Sequence, residues 1–248
     1  CQKKEDRLFK LLDPDDTGVK FANVITETKD LNILKLFYLY NGGGVSVGDF
    51  DNNGLADLFF TGNMVENKLY LNQGNMKFKD VTAEAGVGAL GKWSYGSSTV
   101  DINGDGLLDI YVCASISADP EERTNMLFIN QGLNEDGVPV FKDEAEAYGL
   151  DINSHSTQAA FFDYDQDGDL DVILLTNQRV EGIPTVYKPK VDDGSSELTD
   201  QLFRNNGDGT FTEVSIEAGI TSEGFGLGLA TNDINKDGKI DVYVGNDY

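Results

Sequence analysis

Asp163-Tyr164-Asp165-Gln166-Asp167-Gly168-Asp169-Leu170-Asp171 is a nine-residue acidic stretch that the chain writes four times. The other copies are DFDNNGLAD from Asp49, DINGDGLLD from Asp101 and DINKDGKID from Asp233. Each copy has side-chain oxygens at positions 1, 3, 5 and 9, glycine at position 6 and a free main-chain carbonyl at position 7. Acidic groups at alternate positions of a short loop converge on one point, where their repulsion calls for a cation. An all-oxygen donor set suits a hard ion of calcium's size. The glycine permits the sharp turn that folds the second half of the loop around it. One copy alone could be a solvated Asp/Gly turn; four in register point to a site.

The residues after the loops, LFFTGN, IYVCAS, VILLTN and VYVGND, are apolar and β-prone. Next come NKLYLNQG from Asn67, NMLFINQG from Asn125 and QLFRNNGDG from Gln201, strands closed by an Asn/Gly turn. FKDVTAEAGV from Phe78, FKDEAEAYGL from Phe141 and FTEVSIEAGI from Phe211 complete each hairpin. With the small, Gly-rich strand before each loop, one repeat has four strands in series. Loop starts at 49, 101, 163 and 233 give spacings of 52, 62 and 70 residues. The pattern predicts an all-β chain, a β-propeller of four-stranded antiparallel blades. Phe9-Lys10-Leu11-Leu12 followed by Thr17-Gly18-Val19 reads as the end of another blade, and the chain stops two strands into the next. That gives three full blades and two half-blades. The halves could close a ring of four, but an open arc leaves edges uncovered, and membership of a longer propeller is the favoured reading. Residues 177–199 form the largest insertion. Residues 1–8 read as a flexible tether and 9–248 as the propeller.

The formal charge of −24 comes from 43 acidic against 19 basic residues, and thirteen of the acids are candidate loop ligands. So negative a chain is a poor partner for nucleic acid. It contains no run of eighteen apolar residues. Cys113 lies in the strand-like DIYVCAS and reads as a buried small hydrophobe. Cys1 stands first, ahead of the polar Gln2-Lys3-Lys4-Glu5-Asp6. An arbitrary cut would leave it there too. The reading taken is a mature bacterial lipoprotein acylated on Cys1, with the lipid as its one membrane contact.

Position 12 separates the calcium-loop families. EF-hands need a bidentate Glu there, and dockerin modules also place an acid at that point. Here it is Phe60, Val112, Leu174 and Val244, none with an oxygen to offer. Thrombospondin-type repeats are Cys-rich and lack the intervening strands. The loops and hairpins together resemble the FG-GAP/VCBS repeat family of calcium-loop propellers, which includes integrin α-subunit heads. The NxLYxNxG…FxDVTxxAG spacing is most similar to the cartilage acidic protein and ASPIC/UnbV-type branch. The resemblance implies calcium between the first and second strands of each blade, up to four ions. Its ligands would be Asp49, Asp51, Asn53 and Asp57; Asp101, Asn103, Asp105 and Asp109; Asp163, Asp165, Asp167 and Asp171; and Asp233, Asn235, Asp237 and Asp241. The position-7 carbonyls would be those of Leu55, Leu107, Asp169 and Lys239. The literal Phe-Gly/Gly-Ala-Pro signature is not matched.

His155 is the only histidine, so a His-based triad or zinc site has at most one such member. It precedes Asp163 by eight residues, as Trp93 and Phe225 precede Asp101 and Asp233. These rings are either packing where strands converge or a small ligand platform at the channel mouth. Ser94 and Ser154 have no evident base. The function expected is a calcium-binding, non-catalytic, extracytoplasmic propeller on the bacterial outer membrane or cell surface, presenting loops to a protein or glycan. The alternatives are a polysaccharide lyase or other carbohydrate-active enzyme, and a structural spacer of a larger surface protein.

Overall fold

The computed structural model of the protein describes residues 8–36, 38–177 and 189–247. Residues 1–7 of the expected tether, Cys1 included, lie outside that range, as do residues 178–188 of the insertion. Each apolar run after an acidic loop forms the second strand of a sheet. The first sheet is β1 (Val45–Gly48), β2 (Asp57–Phe60), β3 (Lys68–Asn72) and β4 (Phe78–Asp80). The second is β5 (Ser94–Val100), β6 (Asp109–Ala114), β7 (Met126–Leu133) and β8 (Pro139–Asp143). The third is β9 (Ser156–Phe162), β10 (Asp171–Thr176), β11 (Gln201–Asn205) and β12 (Phe211–Glu213). A two-stranded sheet, β13 (Gly226–Asn232) and β14 (Asp241–Asn246), follows. Strand order is sequential and every pairing antiparallel. Every residue of β6 and β10 is buried. That is why these strands are apolar without alternation: their two faces pack on different neighbours.

The first strands of successive sheets lie side by side, giving a propeller-like array. Ser46 Oγ meets Ser97 Oγ at 2.7 Å. Ser98 Oγ donates to the Ala159 carbonyl at 2.7 Å, and Thr157 Oγ1 to the Gly226 carbonyl at 3.2 Å. This convergence demands small residues. A Cβ on Gly96 would stand 2.5 Å from the Thr157 carbonyl oxygen, closer than side-chain atoms approach.

Between the sheets lie the cores. Phe50, Phe59, Leu69 and Val81 of the first repeat pack with Ile110, Val112, Phe128 and Phe141 of the second. Tyr111, Cys113, Leu127 and Leu150 pack in turn with Val172, Leu174 and Phe203 of the third. Phe162, Ile173 and Leu202 carry the same layer on to Leu229 of β13. A fully buried Phe or Leu contributes about 2–3 kcal/mol, so the sheet-to-sheet layers dominate stability. Cys113 is buried, as expected, and burial pushes its thiol up. No described helix is long and apolar enough to cross a membrane.

The expected half-blade at the N-terminus is only partly present. A single helical turn, α1 (Pro14–Thr17), ends at left-handed Gly18, just as α2 (Thr82–Ala85) ends at Gly86 and α3 (Ala145–Tyr148) at Gly149. The strand predicted from Phe9 to Leu12 does not form; Phe9 is 84% and Leu11 97% exposed. An outer strand needs a third strand to pair with, and none lies there among the described residues. Instead the following segment crosses the first sheet, with Phe21 stacked on Phe60 at 5.1 Å and Asn23 bonded to Asn63.

Just before each third strand, one side chain caps the end of the second. Asn67 Oδ1 accepts from the Gly62 N–H at 3.0 Å, and Asn125 Oδ1 from Ala114 at 2.8 Å. In the third sheet the residue is Asp200, which accepts from Thr176 at 2.9 Å. Burial pushes its carboxyl up to about 6, against the pull of the Thr176 hydrogen bonds. The folded chain therefore holds this proton more tightly than the unfolded one, and stability is lost as pH rises from about 4 to about 6. Asp200→Asn supplies the same acceptor without the charge. It is expected to stabilise the protein by about 1–2 kcal/mol at pH 7, allowing for solvent screening. The gain should fade toward pH 4, as read from denaturant midpoints at both pH values.

Candidate metal centres

Every acidic loop joins the first strand of a sheet to the second, and all four share one backbone solution. Position 4 is left-handed in each (Asn52, Gly104, Gln166, Lys236), as is the glycine at position 6 (Gly54, Gly106, Gly168, Gly238). The two reversals turn the chain back on itself and aim its amides inward. The position-6 N–H donates to the position-1 carboxylate: Gly54 to Asp49 at 2.7 Å, Gly106 to Asp101 at 3.0 Å, Gly168 to Asp163 at 3.2 Å and Gly238 to Asp233 at 3.0 Å. The position-7 N–H donates to the position-5 oxygen, from Leu55 to Asn53, Leu107 to Asp105, Asp169 to Asp167 and Lys239 to Asp237. Among the described residues the position-7 carbonyls accept no hydrogen bond and keep both lone pairs.

The position-9 carboxylate anchors the loop to its sheet. Asp57 accepts from Phe50 N–H at 2.9 Å and from Asn72 N–H at 2.7 Å. Asp109 does the same with Ile102 and Asn130, and Asp171 with Tyr164 and Asn205. Asp241 takes the loop amide of Ile234. Burial pushes Asp57 and Asp109 each up to about 6, opposed by these amides and reinforced by the other loop acids. Asp171 is raised for the same reason.

Two loops gather three carboxylates tightly. Oxygens of Asp49, Asp51 and Asp57 lie within 4.8 Å of one another, as do those of Asp163, Asp165 and Asp171. These two acidic clusters could hold a metal ion. In the second and fourth loops position 3 is an amide, and it bonds to its position-5 neighbour: Asn103 Nδ2 donates to Asp105, and Asn235 Nδ2 to Asp237. Asn53 does likewise to Asp51 in the first loop. None of the ion pairs among the described residues involves a loop carboxylate. The donor set thus fits a hard divalent cation: oxygen throughout, crowded, and ion-paired to no Lys or Arg among the described residues.

Residues outside the motif complete these loops. Asn72, Asn130 and Asn205 each hold position 9 with the main chain and the position-8 carbonyl with Nδ2, the latter at 2.9, 3.3 and 3.2 Å. The sequence presents them as turn residues of NQG and NNG. Their recurrence in every hairpin was the available signal.

Trp93, His155 and Phe225 occupy equivalent positions at the opposite end of the first strands. Their carbonyls accept from Ser115, Asn177 and Asp247 N–H at 3.1, 2.9 and 3.0 Å. Their surroundings differ. Trp93 is 9% exposed, packed with Leu36, Leu39, Tyr95 and Ile116, which leaves its ring little free face. His155 Nδ1 meets buried Ser115 Oγ at 3.2 Å, and Phe225 is half-buried. Beside them a cavity of about 450 Å³ opens between the first strands, lined by Tyr95, Ser97, Thr157, Gln158 and Leu227.

A model of the FG-GAP-like repeat matches residues 49–112 and 191–244, which contain the first, second and fourth loops. Cartilage acidic protein 1 of Mus musculus is 27% identical over 203 residues, covering 82% of this chain and 28% of that protein. The Homo sapiens protein of the same name is 46% identical over 46 residues, covering 18% of this chain and 7% of that one. The chain thus spans 28% or less of the curated relatives it matches. A solved structure described for recognition of non-reducing terminal N-acetylglucosamine by an Agrocybe aegerita lectin aligns with a TM-score of 0.47 and 18% identity. It covers 81% of this chain and 46% of that one, a likeness too slight to bear on function.

The raised carboxyls have a consequence without metal. Asp57 and Asp109 bind protons more tightly folded than unfolded, so between about 4 and about 6 stability falls as pH rises. In excess chelator the melting temperature is expected to be higher at pH 5 than at pH 7. A higher value at pH 7 would contradict the burial of these two groups.

Proposed function

We propose, from the premise that this chain belongs to the FG-GAP-like repeat proteins, that it is a non-catalytic binding module whose propeller-like blades are stiffened by calcium. The observation that carries this reading is the crowding of carboxylates that, among the described residues, pair with no cationic side chain. Asp49, Asp51 and Asp57, and Asp163, Asp165 and Asp171, are the best-formed candidates. The same backbone path in the loops at Asp101 and Asp233 supports up to four ions in all. When bound, calcium would neutralise the loop acids. The residues would hold it through positions 1, 3, 5 and 9 and the position-7 carbonyl.

Calcium's role here is structural. Loops carrying one Asn in place of Asp bind more weakly, and such loops fill where calcium is near millimolar, outside the cytoplasm. An extracytoplasmic, surface-displayed module follows, with a Cys1 lipid anchor as a further proposal outside the described residues. The binding face is placed opposite the acidic loops, where the cavity beside Tyr95, Thr157 and Gln158 offers hydroxyl and amide groups to a protein or glycan. The half-buried rings of His155 and Phe225 flank that end. The sole histidine hydrogen-bonds a buried serine hydroxyl, a packing arrangement rather than a solvent-facing dyad.

Excess EGTA is expected to lower the melting temperature by several degrees relative to 1 mM calcium, since ligand bound only to the folded state adds its binding free energy to stability. An unchanged melting temperature would remove calcium from the account. The loop at Asp163 carries the most carboxylates. In calcium titrations Asp163→Ala should therefore cost more affinity than Asp49→Ala, and equal losses would overturn that ranking.

A further inference from the structure

The four loops are not equally connected to one another. Asn52, at position 4 of the first loop, donates Nδ2 to the carbonyl of Gly106 in the second at 3.3 Å. Gln166, at position 4 of the third loop, donates Nε2 to the carbonyl of Gly238 in the fourth at 2.8 Å. In both pairs the acceptor is the position-6 glycine, whose N–H is held by its own position-1 carboxylate. The glycine is thus held on both sides, its N–H by its own loop and its carbonyl by the neighbouring one. Asn130, only 2% exposed, adds a second bridge to the first pair. Its Nδ2 donates to the Phe50 carbonyl of the first loop at 3.0 Å and the Leu108 carbonyl of the second at 3.3 Å.

Among the described residues the second and third loops lack any such link. Position 4 of the second loop is Gly104, which has no side chain to extend. Among the described residues no hydrogen bond joins 101–109 to 163–171. Asn72 and Asn205, the counterparts of Asn130, reach only their own loops.

We propose that the loops bind ions as two coupled pairs, first with second and third with fourth, with Asn52, Asn130 and Gln166 as the positioning residues. The proposal rests on the calcium reading above. Position 4 lies between two ligands, so an ion in the first loop orders Asn52. Asn52 then holds the carbonyl of Gly106, the residue whose N–H orients Asp101. The second ion finds a loop already ordered and loses less entropy on binding, which is positive coupling. One or two hydrogen bonds of ordinary net strength correspond to an affinity change of about 3- to 10-fold.

Each position-6 glycine amide reports on its own loop, so nuclear magnetic resonance of the ¹⁵N-labelled chain can follow Gly54, Gly106, Gly168 and Gly238 through a calcium titration. Asp105→Ala, which disables the second loop, is expected to raise the midpoint at Gly54 about 3- to 10-fold and leave Gly168 unmoved. Asp167→Ala should raise the midpoint at Gly238 and leave Gly54 unmoved. In an Asn52→Ala background the effect of Asp105→Ala on Gly54 should shrink, and Asn52→Gln, the shape used in the third loop, should retain it. Asn52, Asp105 and Asp167 are exposed, so these variants are expected to fold. A Gly54 midpoint indifferent to Asp105→Ala, or a Gly168 shift as large as that at Gly54, overturns the pairing alone. If no glycine responds to calcium in the unaltered protein, the calcium reading falls and takes the pairing with it.

Discussion

One carboxylate per repeat, the aspartate at position 9, ties the loop, the second strand and the third strand together. Asp57 accepts one amide from its own loop and one from Asn72 across the sheet; Asp109 and Asp171 repeat this. Two charge-assisted hydrogen bonds hold each of these carboxylates in a buried place where a charge would otherwise be costly. They do not offset the cost fully, which is why Asp57 and Asp109 retain protons up to about 6. A carboxylate has about four lone-pair positions, and two amides leave the rest for a cation. The residue that closes the sheet is thus also a ligand candidate, and a divalent ion would reverse the local penalty.

That dual role explains why the loops recur with so little variation while the segments between them lengthen. The distance from position 9 to its partner asparagine is set by the sheet and not by the chain. Asn72, Asn130 and Asn205 meet Asp57, Asp109 and Asp171 in the same way, though the intervening segments differ. In the third repeat that segment includes the insertion, and Asn205 still finds Asp171 at 2.8 Å. Insertions placed between the second and third strands leave this contact intact, and surface loops tolerate them at small entropic cost.

Much of this was legible in the sequence, because the relevant signals are local and repeated. Loop spacing counted the sheets, the hydrophobic character of position 12 excluded the helical calcium modules, and apolar runs such as Val172–Leu175 announced the second strands. Three things were not legible. The strand at Phe9 needed a neighbour that pattern matching cannot supply. The left-handed backbone at position 4 was hidden because Asn52, Gln166 and Lys236 carry it as Gly104 does; asparagine tolerates that region, but glutamine and lysine give no warning. Trp93, His155 and Phe225 align perfectly in sequence, yet tertiary surroundings decide their fates. A segment from the N-terminal region, through Leu36 and Leu39, buries the first ring and not the others.

The arrangement also separates the acidic loops from the cavity proposed to meet a partner. The acidic loops lie where the first strands end, and the cavity near Tyr95 and Thr157 where they begin. Seven-residue strands such as β5 and β9 span the distance between the two, and β9 bonds to β5 through Ala159 and to β13 through Thr157 and Gln158. The first strands are packed so closely that glycine is required at Gly44 and Gly96. A strand held at its loop end therefore has little freedom at its other end. Order set by carboxylates at one end thus reaches the other end through glycine-packed strands, without any group of the cavity having to sit near the acidic loops.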